Sequence, residues 1–366
     1  MTIQAVDLFC GAGGLTHGLF LAGINVTHGI DIDEDCRHPF EINNASTFIH
    51  KSITEITSND LIGFFNKGHK NNSVRLLAGC APCQPFSKYA STRKSTDYKW
   101  KLLAEFERLI YDTSPELITL ENVPQLRTHP IFLDFIMTLE KLNYKIWWGI
   151  VNCSDYGLPQ NRRRLVLLGS KLGDIELIPA TDLNNKKTVR DAISFLPKIK
   201  AGAKNSVDPL HVSASLNQLN LKRISASKPG GNWQDWSSDL LAECHKRSSG
   251  GTYKSVYGRM EWDKPSPTMT TQCYGYGNGR FGHPEQDRAI SLREAAILQA
   301  FPESYQFIKP NSRISMRKIG MLIGNAVPVT LGKIIGESFI HHMNQLKNIS
   351  DESPDHIPQL NLLDKS

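Results

Sequence analysis

The sequence predicts a doubly wound α/β fold, and three observations carry that expectation. Short apolar runs recur through the first 170 residues at the spacing of strands. Stretches between them place apolar residues three and four apart, the period of an amphipathic helix. A glycine-rich turn, DLFCGAGG at 7 to 14, follows the first run and opens a helix, which is where doubly wound folds hold a nucleotide-like ligand.

Ala5 to Phe9, Ile24 to Ile30, Val74 to Ala78, Leu117 to Leu120, Lys145 to Val151 and Leu165 to Leu168 read as strands. Trp100 to Tyr111 and Ile131 to Leu142 read as helices between them, so the sheet is expected to be mostly parallel with helices on both faces. From about residue 171 the pattern loosens into Gly, Ser, Asn and aromatic residues, with GGNW at 230, SSGG at 248 and YGYGNGRFGH at 274. Helical periodicity returns at Ser291 to Gln299 and at Leu331 to Met343. The expected organisation is a catalytic domain over 1–170, a loop-rich domain over 171–285 and a return to the first domain over 286–345. A disordered tail is expected over 346–366.

Composition narrows the function classes. The 366 residues can hold two domains, and the formal charge of +6 suits a polyanionic partner without demanding one. No uninterrupted apolar run approaches the ~18 residues of a membrane helix, and Asp7 breaks the N-terminal run before it can act as a signal peptide. Seven cysteines without framework spacing fit a reducing, cytoplasmic compartment.

Four groups carry candidate chemistry. GCAPCQPFS at 79 to 87 follows an apolar run, and Cys83 in it reads as a nucleophile whose backbone is fixed by Pro82. Cys80 completes a CxxC pair, but no second CxxC exists to build a zinc site, so no metal is expected and Cys80 reads as an inert buried thiol. In the glycine turn, Gly11, Gly13 and Gly14 let a ligand approach the backbone. Asp31, at the end of the next strand, can hold ribose hydroxyls. A dinucleotide fingerprint would need glycine at Thr16, so an adenosine cofactor without phosphates is favoured. Glu121, in ENVPQ, ends a strand on the same rim as Cys83. In QNRRRLVLLGS at 160 to 170, alternation along an extended chain puts Arg162 and Arg164 on one face.

Together DLFCGAGG, PCQPFS, ENV, QNRRR, REAAILQAFP at 293 to 302 and GNAVPV at 324 to 329 resemble, in order, the motif set of the cytosine-C5 DNA methyltransferase family. The resemblance spans about residues 5 to 340. It implies an S-adenosylmethionine-dependent, Rossmann-like methyltransferase domain with a smaller target recognition domain. Cys83 would add to C6 of a flipped cytosine, Glu121 would hold the N3 edge, and Arg162 and Arg164 would contact the base carbonyl and organise the site.

By the same correspondence Phe9, Gly11 and Gly14 would form the cofactor turn, Asp31 and Ile32 would meet ribose and adenine, Pro82 and Leu102 would wall the pocket, and Asn325 would close it. Where the family often has an Asp for the adenine amino group, this chain has Ser52, followed by Ile53, which implies weaker cofactor binding. Lys88 to Lys101, with Lys88, Arg93, Lys94, Lys99, Tyr89 and Tyr98, would be a loop gripping duplex DNA. Arg259, Arg280, Tyr274 and Tyr276 would help the recognition domain enter a major groove.

A restriction-modification methylase acting as a monomer, beside a cognate endonuclease that it does not bind directly, fits this economy of domains. A tRNA cytosine methyltransferase shares the motifs. A catalytically silent DNA-binding member and a dithiol oxidoreductase built on Cys80 and Cys83 are the remaining alternatives.

Overall fold

The computed structural model describes residues 2–67, 73–82, 97–247, 251, 254–310 and 312–351. Its centre is a seven-stranded sheet. The strands are β1 (Thr2–Leu8), β2 (Asn25–Asp31), β3 (Thr47–His50), β4 (Ser73–Gly79), β5 (Leu117–Asn122), β6 (Lys145–Asn152) and β7 (Arg163–Ser170), in the order β3-β2-β1-β4-β5-β7-β6. Pairing is parallel from β3 through β5, and β7 runs antiparallel to both β5 and β6. The strand missing from the sequence reading is β3, four residues long and too short to show a period.

The helices that connect and cover these strands are α1 (Gly14–Leu21), α2 (Arg37–Asn43), α3 (Ser58–Asn66), α4 (Asp97–Thr113) and α5 (Pro130–Lys141). Alternation along the strands feeds two cores. Ile3, Ala5, Leu76 and Val166 pack on one face beneath α1. Val6, Leu8, Leu77 and Leu165 pack on the other against α3, α4 and α5. The DNA-gripping loop expected over Lys88 to Lys101 overlaps α4, which already runs from Asp97 and so claims Tyr98 and Lys99; residues 83–96 lie outside the described residues.

Beyond β7 come α6 (Val189–Ile193), α7 (Gln218–Ala226) and α8 (Glu243–Lys246), then α9 (Leu292–Leu298), α10 (Met316–Asn325) and α11 (Val329–Asp351). The loop-rich stretch has a small core of its own from Ile224, Trp233, Trp236, Leu240 and Tyr276. Its Val189, Ile193, Leu210, Met260, Met269 and Phe281 instead share a core with Phe40, Leu292, Leu298 and Ile323, so apolar packing is continuous across residue 285. Regular structure also outlasts the expected start of a disordered tail at 346, since α11 continues to Asp351.

The stretch Met316–Asn348 is long and apolar enough to cross a membrane, although charged residues kept it out of the sequence reading; 78% of its most apolar window is buried inside the protein. It is therefore a core element. α11 lies along α1 with backbones almost touching: a Cβ on Gly14 would collide with the Val327 carbonyl, and one on Gly18 would lie 2.5 Å from the Val329 carbonyl oxygen. Gly332 and Gly336 answer from α11, facing Leu15 and Ala22.

This seam yields a stability test. Gly18→Ala is expected to cost about 2–3 kcal/mol because neither backbone can yield. Gly63→Ala, on the exposed side of α3 with nothing within 4 Å of the new methyl, is expected to be neutral or to gain up to about 1 kcal/mol. Urea denaturation of the two variants against the parent checks the contrast.

Candidate active site

The carboxyl ends of β1, β2, β4 and β5 form one rim of the sheet, and the turn after β1 is its most distorted part. Phe9 adopts φ 61°, Gly11 φ 53° and Gly13 φ 88°, left-handed conformations that are costly for the phenylalanine and free for the glycines. The Gly11 amide donates to Asp31 Oδ2 at 2.9 Å, and Asp33 N donates to Asp31 Oδ1 at 2.9 Å, so one carboxylate ties the two strand ends together. The Cβ position of Gly11 faces open space. Ile32, which follows Asp31, is 67% exposed.

Gly14 does different work from that expected, because its missing side chain makes room for the Val327 carbonyl and not for a ligand. Behind the turn lies Asp7, fully buried. Thr16 Oγ1 donates to its Oδ2 at 2.7 Å and its Oδ1 has no hydrogen-bond partner. Burial, helped by the Asp31 charge and opposed by the Thr16 hydrogen bond, pushes its carboxyl up to about 7; burial likewise raises Asp31.

The other cofactor candidates are scattered in exposure. Pro82 and Asn325 are exposed, and Leu102 is half-buried against the α4 side of the core. Ile53 is buried in that core. The Ser52 hydroxyl caps the turn at 53–55, accepting from Thr54 N at 3.4 Å and sharing a 2.8 Å contact with Thr54 Oγ1. That local cap competes with any role toward adenine.

Glu121 is 2% exposed at the end of β5. Arg164 Nε lies 2.8 Å from its Oε1 but out of line for a hydrogen bond, which leaves Oε1 without a donor. Cys80 Sγ donates to Oε2 at 2.8 Å. Asn122, next in ENV, donates its amide to Ala81 O at 2.9 Å and so holds the chain two residues before Cys83. Cys83 itself, with Lys88, Arg93 and Lys94, lies outside the described residues. Among the described cysteines, burial pushes the thiols of Cys153 and Cys273 up to about 12 and that of Cys10 well above its ordinary value, so these three are not activated.

Arg162 and Arg164 both neighbour Glu121, but at different depths. Arg162, 2% exposed, donates to Met269 O at 3.0 Å and to Ala326 O at 3.3 Å, and burial, then repulsion from Arg164, pulls it down to about 9. Its two terminal nitrogens therefore hold main chain while its Nε has no hydrogen-bond partner, so the two arginines expected to act as a pair sit at different depths. Two residues missed as functional complete that arrangement. Gln160 donates to Leu298 O and to Gln299 Oε1 and accepts from Met269 N, while Gln299 donates to Ile323 O at 2.8 Å. Both lie within quoted motifs, QNRRR and REAAILQAFP, and that was the available signal.

The recognition residues are corrected too. Arg259 is buried, donating to Ser227 O and Gln286 O and pairing with Asp287 at 2.6 Å, so it braces the fold and is not free for a groove. Tyr276 is buried with its hydroxyl against Ser227, and Arg280 is half-buried, donating to Gly230 O. Tyr274 is half-buried too, against the apolar core. Among the described residues, no group of three or more His, Cys, Asp or Glu gathers as a metal site.

The chain matches the family model described as C-5 cytosine-specific DNA methylase over residues 3–341. It is 53% identical to Type II methylase M.HgiDII of Herpetosiphon aurantiacus over 343 residues, covering 92% of this chain and 95% of that one. It is 30% identical to Type II methyltransferase M1.HphI of Haemophilus parahaemolyticus, covering 93% and 87%. In fold it matches a prophage-encoded E. coli protein assigned to the DNA modification methyltransferases, at TM-score 0.71 and 22% identity, covering 94% and 100%.

Two outcomes are expected of this site. Asp7 binds its proton up to about pH 7 when folded but only to about pH 4 when unfolded. Its contribution to stability is therefore present below pH 4 and is lost as pH rises through 7. Asp7→Asn removes this loss, so its stability advantage over the parent should grow by about 1 kcal/mol per pH unit between pH 5 and 7 and level off above, read by urea denaturation across pH. Gln299→Leu strands the Ile323 carbonyl and one Gln160 contact in a dry core and is expected to cost about 2–4 kcal/mol in the same assay.

Proposed function

The chain belongs to the C-5 cytosine-specific DNA methylase family and is a DNA (cytosine-5-)-methyltransferase; from that premise we propose how its residues perform the reaction and on what. The observation that carries the mechanism is Glu121 Oε1, a buried carboxylate oxygen on the rim with no hydrogen-bond donor, where the exocyclic amino group of a flipped cytosine, or a proton shared with its N3, would supply one.

The Cys83 thiolate adds to C6 of that cytosine, forming a carbon–sulfur bond and making C5 nucleophilic. Glu121 meets N3 through a proton that it gives up as the thiolate adds, so the electron pair pushed into the ring ends as an N3–H bond and no net negative charge builds up on the ring. Arg164, against Oε1, fixes the carboxylate and presents its remaining donors to the base carbonyl. C5 bonds to the methyl carbon as that carbon's bond to the sulfonium sulfur breaks, the electron pair staying on sulfur in S-adenosylhomocysteine. The C5 proton then leaves to a base such as water, the electron pair of the broken C5–H bond restores the ring double bond and expels the Cys83 thiolate, and N3 returns its proton to Glu121.

S-adenosylmethionine, when bound, supplies an electrophilic methyl on a sulfonium. The turn fits such a group: Gly11 opens onto free space, Asp31 keeps lone pairs beyond its two backbone bonds for ribose hydroxyls, and exposed Ile32 offers a face to adenine. Phe9, Pro82, Leu102 and Asn325 complete the wall by family correspondence. Ser52, engaged in its local cap, contributes weakly.

Residues 171–285 form the target recognition part, and Lys88, Arg93 and Lys94 hold phosphates. Restriction-modification, with a cognate endonuclease acting on the same sequence, is supported by the Type II names of the relatives, which favour DNA over tRNA as substrate. A cytoplasmic monomer is the form we propose.

The test mixes the protein with S-adenosylmethionine carrying a labelled methyl and unmethylated duplex DNA. Label at cytosine C5 that disappears in Cys83→Ala is the expected result. No label in DNA under conditions where the cofactor binds would overturn the assignment.

A further inference from the structure

Cys80 has no part in the mechanism above, and the sequence suggests only an inert thiol. The structure puts it elsewhere. In the parallel register of β4 and β5, Gly79 stands against Leu120, which brings the next residue on each chain, Cys80 and Glu121, side by side. The Cys80 amide donates to Leu8 O at 3.2 Å, extending the sheet toward β1, and the Ala81 carbonyl is held by Asn122. With its backbone fixed from both sides, the thiol is aimed, and it donates to Glu121 Oε2 at 2.8 Å. Unlike Cys10, Cys36, Cys153 and Cys273, Cys80 is only half-buried.

Resting on the methyltransferase reading, we infer that Cys80 is a positioning residue for Glu121. The carboxylate is drawn to the Arg164 guanidinium by charge at Oε1, and the Cys80 thiol at Oε2 supplies the directional hydrogen bond that fixes the plane in which it meets the base. A carboxylate accepts up to about four hydrogen bonds, so both oxygens keep capacity for the base edge. A thiol is a weak donor. It sets direction without competing strongly with the base for the same oxygen.

Cys80→Ala removes the donor and Cys80→Ser keeps one. In the labelled-methyl assay, Cys80→Ala is expected to lower kcat about five- to tenfold with the KM for S-adenosylmethionine unchanged, the effect of losing one hydrogen bond that orients a charged group. Cys80→Ser is expected to return kcat to within about twofold of the parent, with or without added reductant. Parental kcat in Cys80→Ala, or a Cys80→Ser variant as impaired as Cys80→Ala, would overturn the inference.

The parent protein is assayed first, so a failure of cytosine methylation itself is separated from a failure of the Cys80 role. A crystal structure of Cys80→Ala decides independently of turnover. Glu121 turned away from its present orientation supports the inference, and Glu121 unmoved against Arg164 refutes it.

Discussion

β7 enters the sheet between β5 and β6 and runs against its neighbour β5, so the residues leading into it stand at the edge where β1, β4 and β5 end. A parallel strand in that place would begin at the opposite edge and carry Arg164 away from Glu121. Reversal instead sets Glu121 against Val166 and Asn122 against Leu165, and the Arg164 guanidinium reaches Glu121 from the neighbouring position. The acid and the glycine turn share one rim because β1 and β5 run the same way, and the arginine joins them because β7 points the other way.

The same entry loop holds the second half of the molecule in place. Helices end with carbonyls that have no partner within the helix, and α9 and α10 both end in dry surroundings. Gln160, Gln299 and Arg162 supply the missing donors to Leu298, Ile323 and Ala326, and Gln160 and Arg162 also hold both main-chain polar groups of Met269. An apolar side chain at any of the three would leave a carbonyl unpaired at a cost of about 1–3 kcal/mol each. The segment carrying Asn325 is therefore fixed relative to the sheet by side chains that never touch its exposed end.

Sequence legibility followed periodicity and motif order. The strands other than β3, and the helices from 100 to 142, were legible because apolar alternation and helical spacing were undisturbed by function. α10 was not, since MRKIGMLIGN carries two glycines that serve close contacts with Tyr274 and Thr270. Glu121 was legible as a rim residue from its strand end, and Arg164 as a site candidate from alternation and motif order, but not the contact between the two. The depth of Arg162 was not, because alternation tells which face a side chain takes and nothing of how far below the surface that face lies. Arg259 misled for a related reason: composition makes an arginine in a glycine-rich stretch look exposed, whereas the loops around it need buried donors for their own carbonyls. The Cys80 contact depends on the register between two strands, which no local pattern encodes.

The seam between α1 and α11 joins residues more than 300 positions apart. During synthesis α1 emerges first and finds no partner for the flat glycine face that the nascent chain presents, and the Tyr305 hydroxyl that will take its place at the Ala12 carbonyl lies 293 positions further on. The early strands can collapse around Leu76 and Ile118, yet one flank of the sheet stays open until the last long helix arrives. The chain is thus a protein whose beginning waits for its end: a ribosome stalled before residue 329 holds a half-covered sheet that invites chaperones, and separately made halves have a ready-made surface on which to rejoin.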